Sequence, residues 1–404
     1  DVPPLVAQLP QSLPHAAPQA RTTVLLTGAT GFLGAFILHD LLSRRGSRVA
    51  KVYVHTRARD HAAAVQRLRD ALSTRGVWDE AWVAEGRLDA VVGDLEQPRL
   101  GVSEADWQRL ADEVDVILHN GALVHWVYPY ARLRAANVLS TLAAVHLAAS
   151  GRPKALTFVS STSALDTPYY IDLSDRMQLS STAEFSGVPE SDPLDGSARG
   201  LGSGYGQSKW VAERLLFAAA ARGLAVNVVR PGYIVGDSRT GATNTDDFLW
   251  RLVKGSLQLG YVPDMENPVN MVPVDHVARI AALAALAPSA GPGATVYHVT
   301  SHPKIRYNGF LGALAQYGWD VTRCDYVEWR QRLEHHVLAA AGDGADAETN
   351  ALFPLLHFVL DDLPTSTKSA ELDDRSTDAL LAAAGERDGV ARGVDEPLVG
   401  LYLA

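Results

Sequence analysis

The stretch LLTGATGFLG, residues 25–34, decides the fold. An apolar run enters this stretch and an apolar helical pattern leaves it, so its three glycines stand in the turn between a strand and a helix. Glycines in such a turn let the backbone approach a pyrophosphate, whose charge then lies at the N-terminus of the helix. The spacing predicts a dinucleotide-binding turn. The residues predicted to contact the cofactor here are Gly28, Thr30, Gly31, Phe32, Leu33 and Gly34.

Apolar segments alternate with helical patterns on both sides of this turn. They are residues 22–28, 50–56, 88–94, 114–120, 154–161 and 224–232. Short apolar runs separated by amphipathic helices predict a parallel sheet that is covered on both faces. The expected fold is therefore α/β, a Rossmann-type doubly wound parallel sheet, with a smaller and mostly helical C-terminal substrate domain.

The regular alternation stops after Gly236, which suggests a second domain. The opening segment is rich in proline and alanine and predicts a linker, with a trimmed N-terminus as the alternative. We expect a linker at 1–21, a cofactor-binding domain at 22–238 with returning segments near 270–301, and a substrate-binding subdomain at 239–269 and 302–404.

Composition narrows the class of protein. The formal net charge of the 404 residues is −10, which argues against nucleic acid as the main partner. The single cysteine, Cys324, allows neither an intrachain disulfide nor a cysteine metal cluster, and we expect no metal. The sequence has no apolar run of bilayer length and no secretory signal, so we expect no membrane partner and a cytoplasmic protein.

The end of the second predicted strand indicates which dinucleotide binds. An acidic residue there holds the ribose 2′-hydroxyl of NAD, whereas a cation suits the 2′-phosphate of NADP. This strand ends in VYVHTRARD, which places Arg57 and Arg59 where the acid would stand. Asp60 follows both and is interpreted as the start of the next helix. The pattern favours NADPH, with two solvated loop arginines as the alternative.

The ends of the third and fourth predicted strands complete the cofactor site. Asp94 and Leu95 follow the third strand, where this fold places the adenine. Asn120, Gly121 and Ala122 follow the fourth strand, where small residues leave room for the sugar.

The stretch GYGQSKW predicts the catalytic group. Tyr205 and Lys209 are four residues apart, which places them on one helical face. The ammonium is expected to lower the pKa of the phenol and so to ease proton donation to a developing alkoxide. Thr162, after the fifth strand, is the hydroxyl predicted to bind the same oxygen. Asn137 is expected to support Lys209, and Asn137, Tyr205 and Lys209 are also predicted cofactor contacts.

With these motifs in one chain, the sequence resembles the extended short-chain dehydrogenases. The resemblance is closer to the thioester-reductase domains of carboxylic acid reductases and nonribosomal peptide synthetases, and among these to the fungal L-2-aminoadipate reductases. It runs from about residue 22 to the end. The segments that carry it are LTGATGFLGAFIL, NGALVHWVYPY, VSSTSALDT, GYGQSKW, VRPGYIVGDSRTGATNTDDFL, VNMVPVDHVAR and ELDD.

The resemblance implies a reaction and a set of roles. Thr162, Tyr205 and Lys209 would be catalytic, and Arg57 would meet the 2′-phosphate, with Arg59 where a lysine or arginine is expected. The residues that would border the nicotinamide are Pro231, Gly232, Tyr233 and Ile234. The reaction would be NADPH-dependent release of an acyl thioester as an aldehyde. The partners would be upstream adenylation and carrier-protein domains of the same polypeptide, the carrier bearing a phosphopantetheine arm.

Several alternatives stay open at this stage. The acyl group is expected to be L-2-aminoadipyl, but a reductase domain for another acyl thioester or a stand-alone dehydrogenase for free carbonyls would carry the same motifs. A cysteine-dependent aldehyde dehydrogenase would need Cys324, around which there is no motif. Residues 171–203 are expected to form a loop over the active site, with a disordered insertion as the alternative. The oligomeric state does not follow from the sequence.

Overall fold

The computed structural model describes residues 1–16, 19–44, 47–125, 127–180, 187–287, 293–342, 350–386 and 391–404. The chain divides into two compact units. The first consists of Asp1–Gly232, Val274–Val299 and Ala370–Val390. The second consists of Tyr233–Pro273, Thr300–Ser369 and Ala391–Ala404.

The secondary structure alternates as predicted through the first unit. In chain order, the strands are β1 (Thr22–Thr27), β2 (Val49–Thr56), β3 (Leu88–Val92), β4 (Val116–His119), β5 (Ala155–Val159), β6 (Val226–Pro231), β7 (Tyr233–Val235), β8 (Tyr261–Pro263), β9 (Pro268–Val269), β10 (Met271–Pro273), β11 (Ala294–Val299), β12 (Ile305–Arg306) and β13 (Thr322–Cys324).

The helices follow the same order. They are α1 (Val2–Val6), α2 (Phe32–Ser43), α3 (His61–Ser73), α4 (Ala81–Ala84), α5 (Glu104–Glu113), α6 (Tyr130–Arg134), α7 (Ser140–Ala148), α8 (Pro168–Ser180), α9 (Gly204–Ala221), α10 (Phe248–Leu259), α11 (Val274–Leu286), α12 (Tyr307–Gln316), α13 (Tyr326–Gly342), α14 (Leu356–Ser366), α15 (Arg375–Ala383) and α16 (Glu396–Leu403). A π-helical turn, Ala135–Leu139, joins α6 to α7.

The first unit is built on one seven-stranded sheet. Its strand order is β11-β6-β5-β4-β1-β2-β3, and every pair of neighbours is parallel, which confirms the predicted doubly wound sheet. The central strands are buried on both faces; Val24, Leu25 and Leu26 of β1 are inaccessible to solvent. The winding direction reverses between β1 and β4, and ligands of such sheets bind at the carboxyl ends of the strands beside that reversal.

The N-terminal segment is part of the first unit, contrary to its predicted role as a linker. Leu5, Leu9 and Leu13 are buried in the same core as the inner face of α9. The backbone N–H of Leu13 donates to the Arg222 carbonyl at 2.8 Å, and the Arg222 guanidinium donates to the Leu9 carbonyl at 2.7 Å. Leucines at every fourth position supply an apolar stripe, and its burial outweighs the extended tendency of the neighbouring prolines.

Two further segments differ from expectation. Residues 171–180, expected as part of a loop over 171–203, lie in α8, which begins with Pro168 at a position where proline favours a helix. Residues 187–203 run without a long helix or strand, and 181–186 lie outside the described residues. The segment Ala370–Val390, assigned to the substrate-binding subdomain, belongs to the first unit, where Leu372 pairs with Val188 and α15 packs beside β11.

The second unit is mostly helical, as expected. Its core is formed by apolar residues of α10, α12, α13, α14 and α16, among them Phe248, Trp250, Phe310 and Trp329. Three two-stranded ladders, β10 with β7, β12 with β9 and β13 with β8, connect the helices. Across the described part of the chain, no helix combines the length and the apolar character needed to cross a membrane.

Candidate active site

The glycine turn between β1 and α2 lies against the loop that follows β4. Gly28 has a φ of +75°, and a Cβ at Gly28 would lie 2.6 Å from the Gly121 Cα. A Cβ at Gly34 would overlap the Gly28 carbonyl oxygen. Only glycine fits at either position, because an L-side chain would strain the turn and collide with backbone. The turn is therefore as compact as pyrophosphate binding requires.

The N-terminus of α2 is free to bind an anion. Gly31 is its cap residue, and no side chain among the described residues accepts from the first N–H groups of the helix. Gly31 is exposed and Phe32 half-buried, while Leu33 is buried beneath them. Unpaired N–H groups and the helix dipole together favour negative charge. The turn and the helix therefore fit a dinucleotide pyrophosphate.

The end of β2 presents two exposed arginines. The Arg57 side chain makes no hydrogen bond or ion pair with any described residue, and the Arg67 guanidinium donates to the Arg57 carbonyl at 2.9 Å. Arg59 is 87% exposed and meets Asp60 at 3.1 Å. Asp60 caps α3 by accepting from the Ala63 N–H at 2.8 Å, which confirms its predicted role as a helix start. Of the two arginines, Arg57 is thus the one whose side chain has no partner among the described residues.

The loops after β3 and β4 also meet at the glycine turn. Asp94 uses one carboxylate oxygen to accept from the Glu96 N–H at 3.0 Å, and Leu95 packs against Gly121. The side chain of Asn120 lies 3.4 Å from the Gly28 carbonyl oxygen, and Ala122 is half-buried. The structure therefore gathers Leu95, Asn120 and Gly121 around the β1–α2 turn.

A buried histidine, His119, that none of the sequence motifs indicates connects this turn to α7. The Gly121 N–H donates to Thr27 Oγ1 at 2.8 Å. Thr27 Oγ1 is 2.9 Å from His119 Nδ1, and His119 Nε2 is 3.1 Å from Ser140 Oγ. Because Ser140 donates to the Ala136 carbonyl, His119 must donate from Nε2 and accept at Nδ1. Burial and the Lys209 charge lower the pKa of His119 to about 3, so the ring is neutral.

Tyr205 lies in the first turn of α9, and Ser203 caps that helix by accepting from the Gly206 N–H at 3.0 Å. The hydroxyl that interacts with Tyr205 is that of Ser161, which lowers the pKa of the phenol against the effect of burial. Thr162, the predicted partner, is half-buried and forms no side-chain hydrogen bond within the described residues. β5 ends at Val159, and Ser161 is the extended residue before the 3₁₀ turn Thr162–Leu165. The strand end therefore presents Ser161, one residue before the predicted hydroxyl.

Lys209 is buried one turn after Tyr205. Its Nζ donates to the Val159 carbonyl at 2.7 Å and lies 5.7 Å from the centre of the Tyr205 ring. Burial lowers the pKa of Lys209 to about 7. Lys209 was expected to lower the pKa of Tyr205, but burial raises it. The reason is that Lys209 bonds to a carbonyl rather than to the phenol, so Tyr205 keeps its proton at neutral pH.

A buried ion pair lies one further turn along α9. Glu213 and Arg230 are both inaccessible to solvent and form a bidentate pair, with the shortest contact at 2.6 Å. Ser160, next to Ser161, donates to the same carboxylate, and the Glu213 charge raises the pKa of Lys209. This pair ties the end of β5 to α9. Its signal in the sequence is a glutamate four residues after Lys209.

Asn137 holds the loop after β4 rather than Lys209 itself. Its amide oxygen accepts from the Leu123 N–H at 2.7 Å, and its NH₂ donates to the Leu123 carbonyl and to Ser208 Oγ. Both donor hydrogens are thereby used. Asn137 therefore fixes the cofactor-side loop against α9 next to Lys209.

The last predicted cofactor residues are divided between the units. Pro231 ends β6 and Gly232 follows it, and the Gly232 N–H donates to the Val299 carbonyl at 3.3 Å. Tyr233 and Ile234 belong to β7 in the second unit, where the Tyr233 N–H donates to the Asn270 carbonyl at 2.8 Å.

Comparison with known families agrees with this geometry. A family described as male sterility protein, an NAD-binding domain, matches residues 26–281. The chain belongs to this family. The matched residues contain the glycine turn, Ser161, Tyr205 and Lys209, so the family's cofactor-binding region coincides with the site described above.

Individual relatives place the chain more narrowly within the family. The L-2-aminoadipate reductase large subunit of Penicillium chrysogenum is 50% identical over 408 residues, which cover 99% of this chain and 28% of the relative. Among solved structures, the terminal R domain of the myxalamid PKS-NRPS pathway is 33% identical, with a TM-score of 0.79 and coverage of 98% of this chain and 92% of that one. The reductase (R) domain of a nonribosomal peptide synthetase from Mycobacterium tuberculosis is 26% identical, with a TM-score of 0.76 and coverage of 99% and 94%.

These comparisons confirm the predicted family, fold and enzyme class. The chain is a reductase domain, an oxidoreductase with a nicotinamide cofactor. It spans 28% of the length of the Penicillium relative but nearly the whole length of the solved R domains.

Proposed function

We propose that this chain reduces an acyl thioester on a carrier protein and releases it as an aldehyde, with NADPH as the reductant. The acyl group is L-2-aminoadipyl, and the product is 2-aminoadipate 6-semialdehyde, a step of lysine biosynthesis. The observation that carries the proposal is the interaction of Ser161 with Tyr205, one helical turn from Lys209, at the carboxyl edge of a nucleotide-binding sheet. The acyl group is taken from the 50% identity to an L-2-aminoadipate reductase subunit.

The residues present fit NADPH. The glycine turn and the N-terminus of α2 would hold the pyrophosphate. The Arg57 guanidinium, with Arg59 beside it, would meet the 2′-phosphate, and the loops at Asp94 and Gly121 would border the adenosine. When bound, the cofactor supplies a hydride to the carbonyl carbon of the substrate.

The chain's own residues handle the carbonyl oxygen. The Ser161 hydroxyl interacts with Tyr205 and donates to Ser163 Oγ at 3.1 Å. Once Ser161 turned from Ser163, a carbonyl oxygen entering beside the two residues would accept from both hydroxyls. Since burial keeps the phenol of Tyr205 protonated, that phenol is a general acid for the oxyanion formed when hydride arrives. Lys209, once charged, stabilises the phenolate that remains.

The reaction balances as a reductive cleavage. One hydride reaches the carbonyl carbon and one proton reaches the oxygen, which gives a hemithioacetal on the substrate. The C–S bond then breaks, the hydroxyl proton is lost, the sulfur leaves as a thiol, and the aldehyde is released. No protein thiol takes part in this scheme, and half-buried Cys324 lies in β13 of the second unit.

The thiol is proposed to be the phosphopantetheine arm of a carrier-protein domain in the same polypeptide, loaded by an upstream adenylation domain. The length of the Penicillium relative, of which this chain covers 28%, leaves room for such domains. Tethering would raise the effective concentration of the thioester to the millimolar range.

The identity of the acyl group is tested with a panel of acyl-pantetheine thioesters. The chain is mixed with NADPH and each thioester in turn, and the aldehyde is identified by mass spectrometry. The proposal predicts the highest kcat/KM for the L-2-aminoadipyl thioester. A clear preference for an unrelated acyl group would assign the chain to another thioester pathway.

A further inference from the structure

A network of buried hydrogen bonds runs through His119 at the end of β4. It connects the Gly121 N–H, Thr27 Oγ1, the two ring nitrogens of His119, Ser140 Oγ and the Ala136 carbonyl. The side chains of this His119 network belong to residues that are each no more than 1% exposed. Water cannot replace a partner that is lost there, so a broken bond would leave a buried polar group unpaired.

Each hydrogen bond of the His119 network has one direction. Ser140 uses its single hydroxyl proton for the Ala136 carbonyl, so its oxygen accepts from His119 Nε2. A neutral imidazole has one N–H, so Nδ1 carries a lone pair and accepts from the Thr27 hydroxyl at 2.9 Å. The Thr27 oxygen accepts in turn from the Gly121 N–H at 2.8 Å. The backbone at Gly121 is thereby tied to one tautomer of His119.

Gly121 has little room to move. A Cβ at Gly121 would lie 2.7 Å from Leu95 Cδ1 and 3.0 Å from Thr27 Oγ1. A Cβ at Gly28 would lie 2.6 Å from the Gly121 Cα, so the loop after β4 forms one wall of the glycine turn. A displacement of Gly121 would therefore change the shape of the turn that fits the pyrophosphate.

The π-helical turn Ala135–Leu139 anchors the other end of the network. Ser140 follows this turn directly and donates to a carbonyl within it. Asn137 of the same turn holds both backbone groups of Leu123. The loop after β4 is therefore fixed to the π-helical turn at two points, and the contact through His119 is the one that ends against the glycine turn.

We propose that His119 is a positioning residue for the nicotinamide cofactor, because its Nδ1, through the Thr27 hydroxyl, holds Gly121 where the glycine turn can take the pyrophosphate. The two ring nitrogens have different roles: Nδ1 fixes the cofactor loop, and Nε2 anchors the ring to the π-helical turn. The inference goes beyond the proposed reaction, because it concerns cofactor binding and holds for any acyl group.

Two amide side chains at position 119 separate the roles of the ring nitrogens. In His119→Asn the amide oxygen can take the place of Nδ1 and accept from Thr27, while the bond to Ser140 is lost. In His119→Gln the terminal NH₂ can take the place of Nε2 and donate to Ser140, while Thr27 loses its acceptor. His119→Leu removes both bonds. Fluorescence titration without a thioester measures the dissociation constant of NADPH, and thermal melting measures the stability of each variant.

The proposal predicts that NADPH affinity depends on the atom at the place of Nδ1. His119→Gln and His119→Leu should weaken NADPH binding by about 3- to 10-fold, the effect of one hydrogen bond, whereas His119→Asn should restore it to within about twofold. All three variants lose a buried hydrogen bond, so all three should melt at a lower temperature. His146→Gln, at a half-buried histidine of α7, is the control and should leave NADPH binding unchanged.

A second measurement uses the unchanged chain and does not depend on the folding of a variant. The ¹⁵N NMR spectrum of histidine-labelled protein distinguishes a protonated ring nitrogen from an unprotonated one. At neutral pH the proposal predicts a protonated Nε2 and an unprotonated Nδ1 in His119.

Other outcomes overturn the assignment. Equal weakening by His119→Asn and His119→Gln, or an affinity that falls in step with the melting temperature, would make the ring a structural group only. Unchanged affinity in His119→Leu would remove His119 from cofactor binding, and a protonated Nδ1 in the unchanged chain would reverse the direction of the network. The titrations contain no thioester, so a failure here would leave the proposed release of an aldehyde unaffected.

Discussion

The Ser161 side chain, two residues beyond the end of β5, interacts with Tyr205 in the first turn of α9 and lowers the pKa of its hydroxyl against the effect of burial. This interaction joins the end of β5 to α9, which Lys209 also connects, because Lys209 donates from α9 to the Val159 carbonyl of β5. A carbonyl oxygen that entered beside Ser161 and Tyr205 would meet two hydroxyl donors once Ser161 turned from Ser163 Oγ. This relationship makes Ser161, rather than Thr162, the expected partner of Tyr205 in the reaction.

The first prediction therefore compares neighbouring hydroxyls. Ser161→Ala removes one donor to the developing oxyanion and should lower kcat by about 10²- to 10³-fold. Thr162→Ala is the matched control and should stay within about threefold of the unchanged chain. Steady-state kinetics with an acyl-pantetheine thioester measures both. The reverse order of effects would restore Thr162 as the catalytic hydroxyl.

Replacing Tyr205 by phenylalanine keeps the ring and removes the proton donor. General acid catalysis contributes about 10² to 10⁴ in rate, so kcat should fall by that factor. The dissociation constant of NADPH, measured by fluorescence titration, should change by less than about threefold. If NADPH oxidation continued at a similar rate in Tyr205→Phe, another group would be the acid.

Cofactor preference depends on Arg57. Arg57→Ala should weaken NADPH binding by about 2 kcal/mol, about 30-fold, because a charge-assisted contact with the 2′-phosphate is lost. Binding of NADH, which has no such phosphate, should be unchanged. Arg332→Ala, which removes an exposed arginine of the second unit, is the control. Equal weakening of both cofactors would give Arg57 a structural role.

Cofactor binding should also be coupled to protonation of Lys209. Burial lowers the pKa of Lys209 to about 7. At pH 8, before the cofactor binds, the Lys209 side chain is therefore mostly neutral. The phosphates of the cofactor favour the charged form and raise this pKa, so binding at pH 8 should take up a proton. At pH 6 Lys209 is already charged, so cofactor binding should cause no further proton uptake by Lys209.

Calorimetry in two buffers of different ionisation enthalpy measures this uptake. Lys209→Met, which keeps an apolar chain of similar length, should reduce the uptake at pH 8 and leave the value at pH 6 unchanged. An uptake that is the same in both proteins at pH 8 would show that another group titrates.

The parts of the fold that follow from local pattern were predictable from the sequence. The glycine turn has the strand before it and the helix after it that the motif requires, and both appear as β1 and α2. The apolar runs form the parallel strands, because strands that are buried on both faces of a parallel sheet carry apolar residues at nearly every position. Asp60 could be assigned to a helix cap from its place after the strand end.

The errors arose where tertiary contacts decide the outcome. Ser161 and Thr162 both carry a hydroxyl, so residue type does not show which of them lies beside Tyr205. That depends on the position at which β5 ends. Leu5, Leu9 and Leu13 carried a helical stripe that the neighbouring prolines obscured. The return of Ala370–Val390 to the first unit depends on the pairing of Leu372 with Val188, which has no signal in the local sequence.

The form of the substrate is the most direct test of the proposed function. A carboxylate repels hydride and loses its resonance on attack, whereas a thioester carbonyl is neutral, and the sequence contains no phosphate-binding loop that would activate an acid with ATP. The chain is incubated with NADPH and either L-2-aminoadipyl-pantetheine or free L-2-aminoadipate with ATP, and the semialdehyde is measured. We expect semialdehyde from the thioester, and a lower KM when the thioester is on a carrier protein. Semialdehyde from the free acid at a comparable rate would contradict the account.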